Sequence, residues 1–273
     1  MTAAPLRRFA ACALAGAAVI AFSLLGGRSI AMPLDVTENE IVSLSNAPVL
    51  VAADASVAET GEPAVRLELE FPNDCYADVG ARLDLLRKQG ERGGAVLLVL
   101  QRVPQEGCPD IYQPTRRTIG VVLPSDLAGQ AIDVVARQAV DHFRSVRLDR
   151  AAGTTPLAAD MVREPHTPSE IVLAIESARI APSGANGYVV TSAVRLANDC
   201  GERDISVRVF EAPDPEGTPR SDIMLIVGPA SCAATPAETA TEVAVRVDTP
   251  QPRAGRRLLI INAAAPGPMR LPD

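Results

Sequence analysis

The tripeptide Asn73-Asp74-Cys75 recurs as Asn198-Asp199-Cys200, and each copy is followed by one further cysteine at nearly the same distance. Cys108 lies 33 residues beyond Cys75, and Cys232 lies 32 beyond Cys200. Two other landmarks keep step with them: Ala128-Gly129 with Ala254-Gly255, and Glu40-Ile41-Val42 with Glu170-Ile171-Val172. Four landmarks offset by 124 to 130 residues indicate one unit written twice. The repeat also selects a disulfide connectivity. Four cysteines allow three pairings, and only Cys75–Cys108 with Cys200–Cys232 places one staple inside each copy. Each staple closes a loop worth about 3–4 kcal/mol on the chain-entropy account. A four-cysteine zinc site would bring its ligands in close pairs, and here the nearest two cysteines are 32 residues apart.

Disulfides require an oxidising compartment, and the amino terminus fits one. Arg7-Arg8 precedes an uncharged run from Phe9 to Leu25, and Ser29-Ile30-Ala31 places small residues where a signal peptidase reads. Residues 1–31 read as a signal peptide cleaved near Ala31, which removes the fifth cysteine, Cys12. The rival reading, an uncleaved anchor, is short for a bilayer core of about 30 Å. Without residues 1–31 the chain carries 23 basic and 33 acidic residues, a net charge of −10. Such a surface repels phosphate backbones, so nucleic acid and anionic membrane faces are not expected partners.

The fold class follows from period-two patterns. Val65, Leu67, Leu69 and Phe71 alternate with Arg66, Glu68 and Glu70; Ile205, Val207 and Val209 alternate with Ser206 and Arg208; Val243, Val245 and Val247 alternate with Glu242, Ala244 and Arg246. Each is a strand with one buried and one wet face. Turn-rich segments at 89–94 and 213–219 join a strand after the first cysteine to one before the second, predicting a hairpin in each copy. The expectation is an all-β chain of two tandem immunoglobulin-like sandwiches, without the core Trp of antibody domains, because the chain has no Trp. The boundaries are 32–150 for the first domain, 151–168 for a proline-bearing linker, 169–264 for the second domain and 265–273 for a flexible tail. Leu127 to Phe143 reads as a strand by consistency with Arg256-Arg257-Leu258-Leu259-Ile260-Ile261, or as an Ala-rich helix with Ile132, Val135, Ala139 and Phe143 on one face.

Chemistry is sparse. The two histidines, His142 and His166, lack the converging partners a catalytic site needs. Asp74 and Asp199 read as turn-formers beside the half-cystines. Asp214 and Glu216 lack the regular spacing of a calcium loop. No cofactor or metal is expected. One loop, Cys108-Pro109-Asp110-Ile111-Tyr112-Gln113-Pro114, holds an aliphatic and an aromatic residue between prolines beside the staple, and rigid loops carrying a Tyr are frequent contact sites. The second copy has Cys232-Ala233-Ala234-Thr235-Pro236 there. Ile111 and Tyr112 are therefore the candidate partner-contact residues. The functional expectation is a non-enzymatic binding or adaptor protein of the cell envelope, periplasmic or secreted, whose partner is another envelope protein. A two-domain periplasmic assembly factor or chaperone, or an enzyme without a readable motif, are the rivals.

Overall fold

A computed structural model gives the fold. It describes residues 33–34, 39–44, 47–90, 93–102, 104, 107–138, 143–148, 156–158, 162–163, 170–197, 199–213, 219–234, 240–249, 255–262 and 269–271. In chain order its elements are β1 (Pro33–Leu34), β2 (Asn39–Ser43), β3 (Val49–Val57), β4 (Pro63–Phe71), α1 (Asp74–Val79), β5 (Ala81–Lys88), β6 (Ala95–Gln101), β7 (Thr115–Val122), β8 (Ala131–Val135) and β9 (Phe143–Arg147). There follow β10 (Val162–Arg163), β11 (Glu170–Val172), β12 (Ile175–Ser183), β13 (Gly187–Arg195), β14 (Ser206–Pro213), β15 (Pro219–Pro229), β16 (Ala240–Asp248), β17 (Arg257–Ile260) and β18 (Met269–Arg270). The chain is mostly β, as its alternating patterns predict. The 127–143 segment supplies the strand β8, not a helix, where it is described; residues 139–142 lie outside the described set.

Two four-stranded sheets, β10-β7-β4-β3 and β1-β16-β13-β12, flank a ten-stranded sheet built from both halves. The alternating strands face it as expected. Leu67, Leu69 and Phe71 of β4 pack with Leu83, Leu85 and Leu97 in one core. Val190 and Val194 of β13 pack with Val207, Val209 and Ile226 in another. The predicted hairpins are present as the antiparallel pairs β5–β6 and β14–β15. Gly129 and Gly255, the paired landmarks, both hold positive φ (79° and 77°) ahead of β8 and β17, a conformation that suits residues without a Cβ.

Strand partnership does not follow the sequence halves. β2, in the first half, pairs in parallel with β14 of the second, and β1 pairs with β16. Reciprocally, β10 pairs with β7 and β11 with β5, both of the first half, while β11 also pairs with β15. The backs of the central strands then meet: Leu86, Leu98 and Leu100 join Phe210, Leu225 and Val227 in a third core, which also takes Leu44 and Val172 from the two arms. Backbone pairing also corrects one landmark. Ser43 lies opposite Glu211 and Ile171 opposite Arg87, at matching places in β14 and β5. The structural match is therefore Ser43-Leu44 with Ile171-Val172, and the Glu-Ile-Val match is out of step with it.

Segments expected to be loose are also engaged. In the 151–168 linker, Leu157 is buried against Ala58, Ala64 and Val122, and its N–H donates to the Val57 carbonyl at 3.0 Å. In the 265–273 tail, β18 pairs with β17 and Leu271 enters the second core. Proline content suggested extension, and extended backbone is what adds to a sheet edge.

Candidate contact loop

The disulfides join Cys75 to Cys108 and Cys200 to Cys232, with Cα–Cα distances of 5.8 and 5.7 Å. Around the first, one side chain organises the loop. Asn73 precedes α1 in extended backbone, and its Oδ1 accepts from the Tyr76 N–H at 3.2 Å, the interaction expected of a helix N-cap. Its Nδ2 donates to the carbonyls of Pro109 (3.0 Å) and Ile111 (2.9 Å). Gln113 N–H donates to the Pro72 carbonyl at 2.8 Å. Asn73 is buried, so these bonds are shielded from competing water. The turn-forming role expected of Asp74 thus belongs to Asn73, because the cap must stand one residue before the helix; Asp74 instead accepts from the Thr115 hydroxyl at 2.7 Å. In the second half Asp199 is exposed, and Asn198 lies outside the described residues.

Held from below in this way, Ile111 and Tyr112 project into solvent, 56% and 74% exposed. Among the described residues, Val51 is the one other exposed large hydrophobic. The loop is bordered by charge: Arg116 bonds Glu70 (3.0 Å) and Glu68 (3.3 Å), and Arg117 approaches Asp78 at 3.4 Å. Its hydrogen bond to the Glu70 carboxylate raises the Arg116 guanidinium above its ordinary value. The second staple has no such projection where it is described. Cys232 is buried, and Ala233 bridges back to Leu196.

A different site was not visible to sequence reasoning. At one end of the second sandwich, the Tyr188 hydroxyl donates to Asp222 at 2.8 Å, Arg256 pairs with Asp222, and Arg256 reaches Glu211 at 3.2 Å. Asp222 and Arg256 are almost fully buried. Burial raises the Asp222 carboxyl above its ordinary value against the opposing pull of Arg256, and raises the Tyr188 phenol far more. Among the described residues, Arg256 Nε and Nη1 find no hydrogen-bond partner. Asp222, Arg256 and the Tyr188 hydroxyl thus satisfy one another's charge and hydrogen-bonding groups away from water. Its one trace in the sequence is an Asp heading the apolar run Ile223-Met224-Leu225-Ile226-Val227.

His142, His166, Asp214 and Glu216 lie outside the described residues. Among the described residues no three His, Cys, Asp or Glu gather as a metal site would require, and no helix is long and apolar enough to cross a membrane. No family model matches the chain, and neither a curated protein nor a solved structure matches it.

Proposed function

We propose that the protein is an exported, non-catalytic contact protein of the cell envelope, built by duplication of an immunoglobulin-like unit, and that it engages a protein partner through Ile111 and Tyr112. The observation that carries this reading is the exposure of two large apolar side chains on a loop whose backbone is fixed by Asn73 and the Cys75–Cys108 bridge. A rigid loop loses little entropy on binding, and buried aromatic anchors dominate interface energies. Two intramolecular disulfides fit an oxidising, extracytoplasmic compartment, in keeping with the signal-like segment before Met32.

The test is paired capture from envelope extracts with the oxidised protein and its Ile111→Ala/Tyr112→Ala variant. One stoichiometric partner held by the parent and lost by the variant is the expected outcome. Equal retention by both, with a cellular phenotype lost instead in His142→Ala, would transfer the lead to an enzymatic function. Amino-terminal sequencing of the native protein should begin near Met32, and a Met1 or Thr2 start on the bulk protein would remove the export step.

A further inference from the structure

Each half of the chain gives away its leading arm. Residues 33–43 leave the first half to pair with β16 and β14. Residues 162–172 lead into and open the second half, yet β10 and β11 pair with β7 and β5 of the first, while β11 also pairs with β15. The exchange is reciprocal, and between the arms the two inner sheet faces bury a shared core around Leu98, Leu100, Phe210 and Leu225. The seam beside β11 is closed by polar bonds as well. Gln89 N–H donates to the Val172 carbonyl at 2.9 Å, its Oε1 accepts from Ala174 N–H at 3.0 Å, and its Nε2 donates to the Ala234 carbonyl at 3.2 Å. Glu170 of β11 pairs with Arg208 of β14.

We propose that the inner face of each half is a docking surface for a unit of the same architecture, with the donated arm as the element that fixes register, and that in this chain the two surfaces satisfy one another. The partner each surface fits is the opposite half. Three observations favour that occupant. The arms cross in both directions, as in segment exchange between identical protomers. The buried face is aliphatic and aromatic, like an obligate interface and unlike a transient one. Neither disulfide crosses between the halves, so nothing covalent besides the connecting chain is needed to hold them. The inference is independent of the Ile111–Tyr112 loop, which lies outside this seam.

The experiment uses the full-length oxidised protein with a protease site inserted between Ala152 and Gly153 and cleaved after folding. The expected result is one particle of unchanged mass that survives dilution to sub-micromolar concentration without reductant. Unfolding in denaturant should release two fragments, and mixing them on dilution should restore the one-to-one complex. Amide exchange gives a second readout: the β2 amides of Asn39–Ser43 should lose protection in the isolated amino-terminal fragment and regain it when the other fragment is added. Phe210→Asp at the inner face should weaken reassociation at least tenfold. Cleaved halves that part on dilution, or β2 amides that stay protected in the amino-terminal fragment alone, would overturn the proposal.

Discussion

The first and second hydrophobic cores close in opposite ways. In the second, Glu211, Asp222 and Arg256 line the end beneath Tyr188. In the first, the strand registers put Arg87, Ala95 and Gln130 at those places, and buried Leu123 and Leu127 complete the core. Arg87 turns outward to Asp126 at 2.6 Å, where its hydrogen bond lowers the Asp126 carboxyl. The first half keeps an ion pair of its own, Lys88 with Asp133, and Lys88 is the chain's single lysine. That pair lies on the face toward the other half, level with Leu86 and Val96, and not inside the sandwich. A shared strand plan therefore tolerates either an ionic or an apolar closure. The ionic one specifies geometry, while the apolar one supplies transfer free energy without a desolvation cost.

The largest expected effect breaks the ionic closure. Arg256→Met leaves the buried Asp222 and the partly buried Glu211 without their cation and should cost about 3–5 kcal/mol in denaturant unfolding. Adopting the first half's residues together, Asp222→Ala with Arg256→Gln, should cost clearly less than Arg256→Met alone. If the double change is the worse of the two, the closures are not interchangeable.

Leu127→Ala tests the apolar side. Leu127 is fully buried, and the cavity left should cost about 2–5 kcal/mol. A smaller loss would mean that this end relaxes around the gap. Next comes Asn73→Ala, which removes the cap and frees both loop carbonyls. Equilibrium unfolding should show a loss of about 1–2 kcal/mol, and exchange at the Gln113 amide should quicken.

A pH effect separates the two halves further. Because burial raises the Asp222 carboxyl in the folded protein, the native state holds that proton more tightly than the unfolded chain does. The stability this group contributes is present at low pH and falls as pH rises from the ordinary aspartate range through the raised value. The Asp222→Ala/Arg256→Gln protein should lack that decline in a stability–pH profile. The smallest effect belongs to the contact loop: Ile111→Ala/Tyr112→Ala should change unfolding free energy by no more than about 0.5 kcal/mol, since neither side chain is buried.

Much of the strand pattern was legible in the sequence, while the ionic closure was not. Strands β4 and β16 alternate because one face is wetter than the other, and the hairpins announce themselves through turn residues. The cysteine spacing identified both staples, and Gly129 and Gly255 both take positive φ ahead of a strand. Partnership was hidden, since Ile41 or Ile171 reads the same whether its neighbour strand lies in its own half or the other. A short strand also slides by two residues without turning its faces over, which is how the Glu-Ile-Val match fell out of step. Tyr188, Glu211 and Asp222 come from three different strands and Arg256 from the turn before β17, so no local pattern joins them. Asn73 was overlooked beside Asp74 because both residue types form turns, and only the helix start decides between them.

The donated arm sets an order of events during synthesis. A chain made from its amino terminus produces β1 and β2 before anything else described here, yet their partners β16 and β14 come near the end. The first half can gather its own core early. The second cannot gain its edge until a segment that has waited through most of translation returns to it. Such distant pairing slows folding, and a waiting strand is open to wrong partners. Shortening the wait, by a circular permutation that joins the carboxyl end to residue 33 and opens the chain after residue 43 so that residues 33–43 follow β18, should speed the final folding phase and leave the finished sheet unchanged.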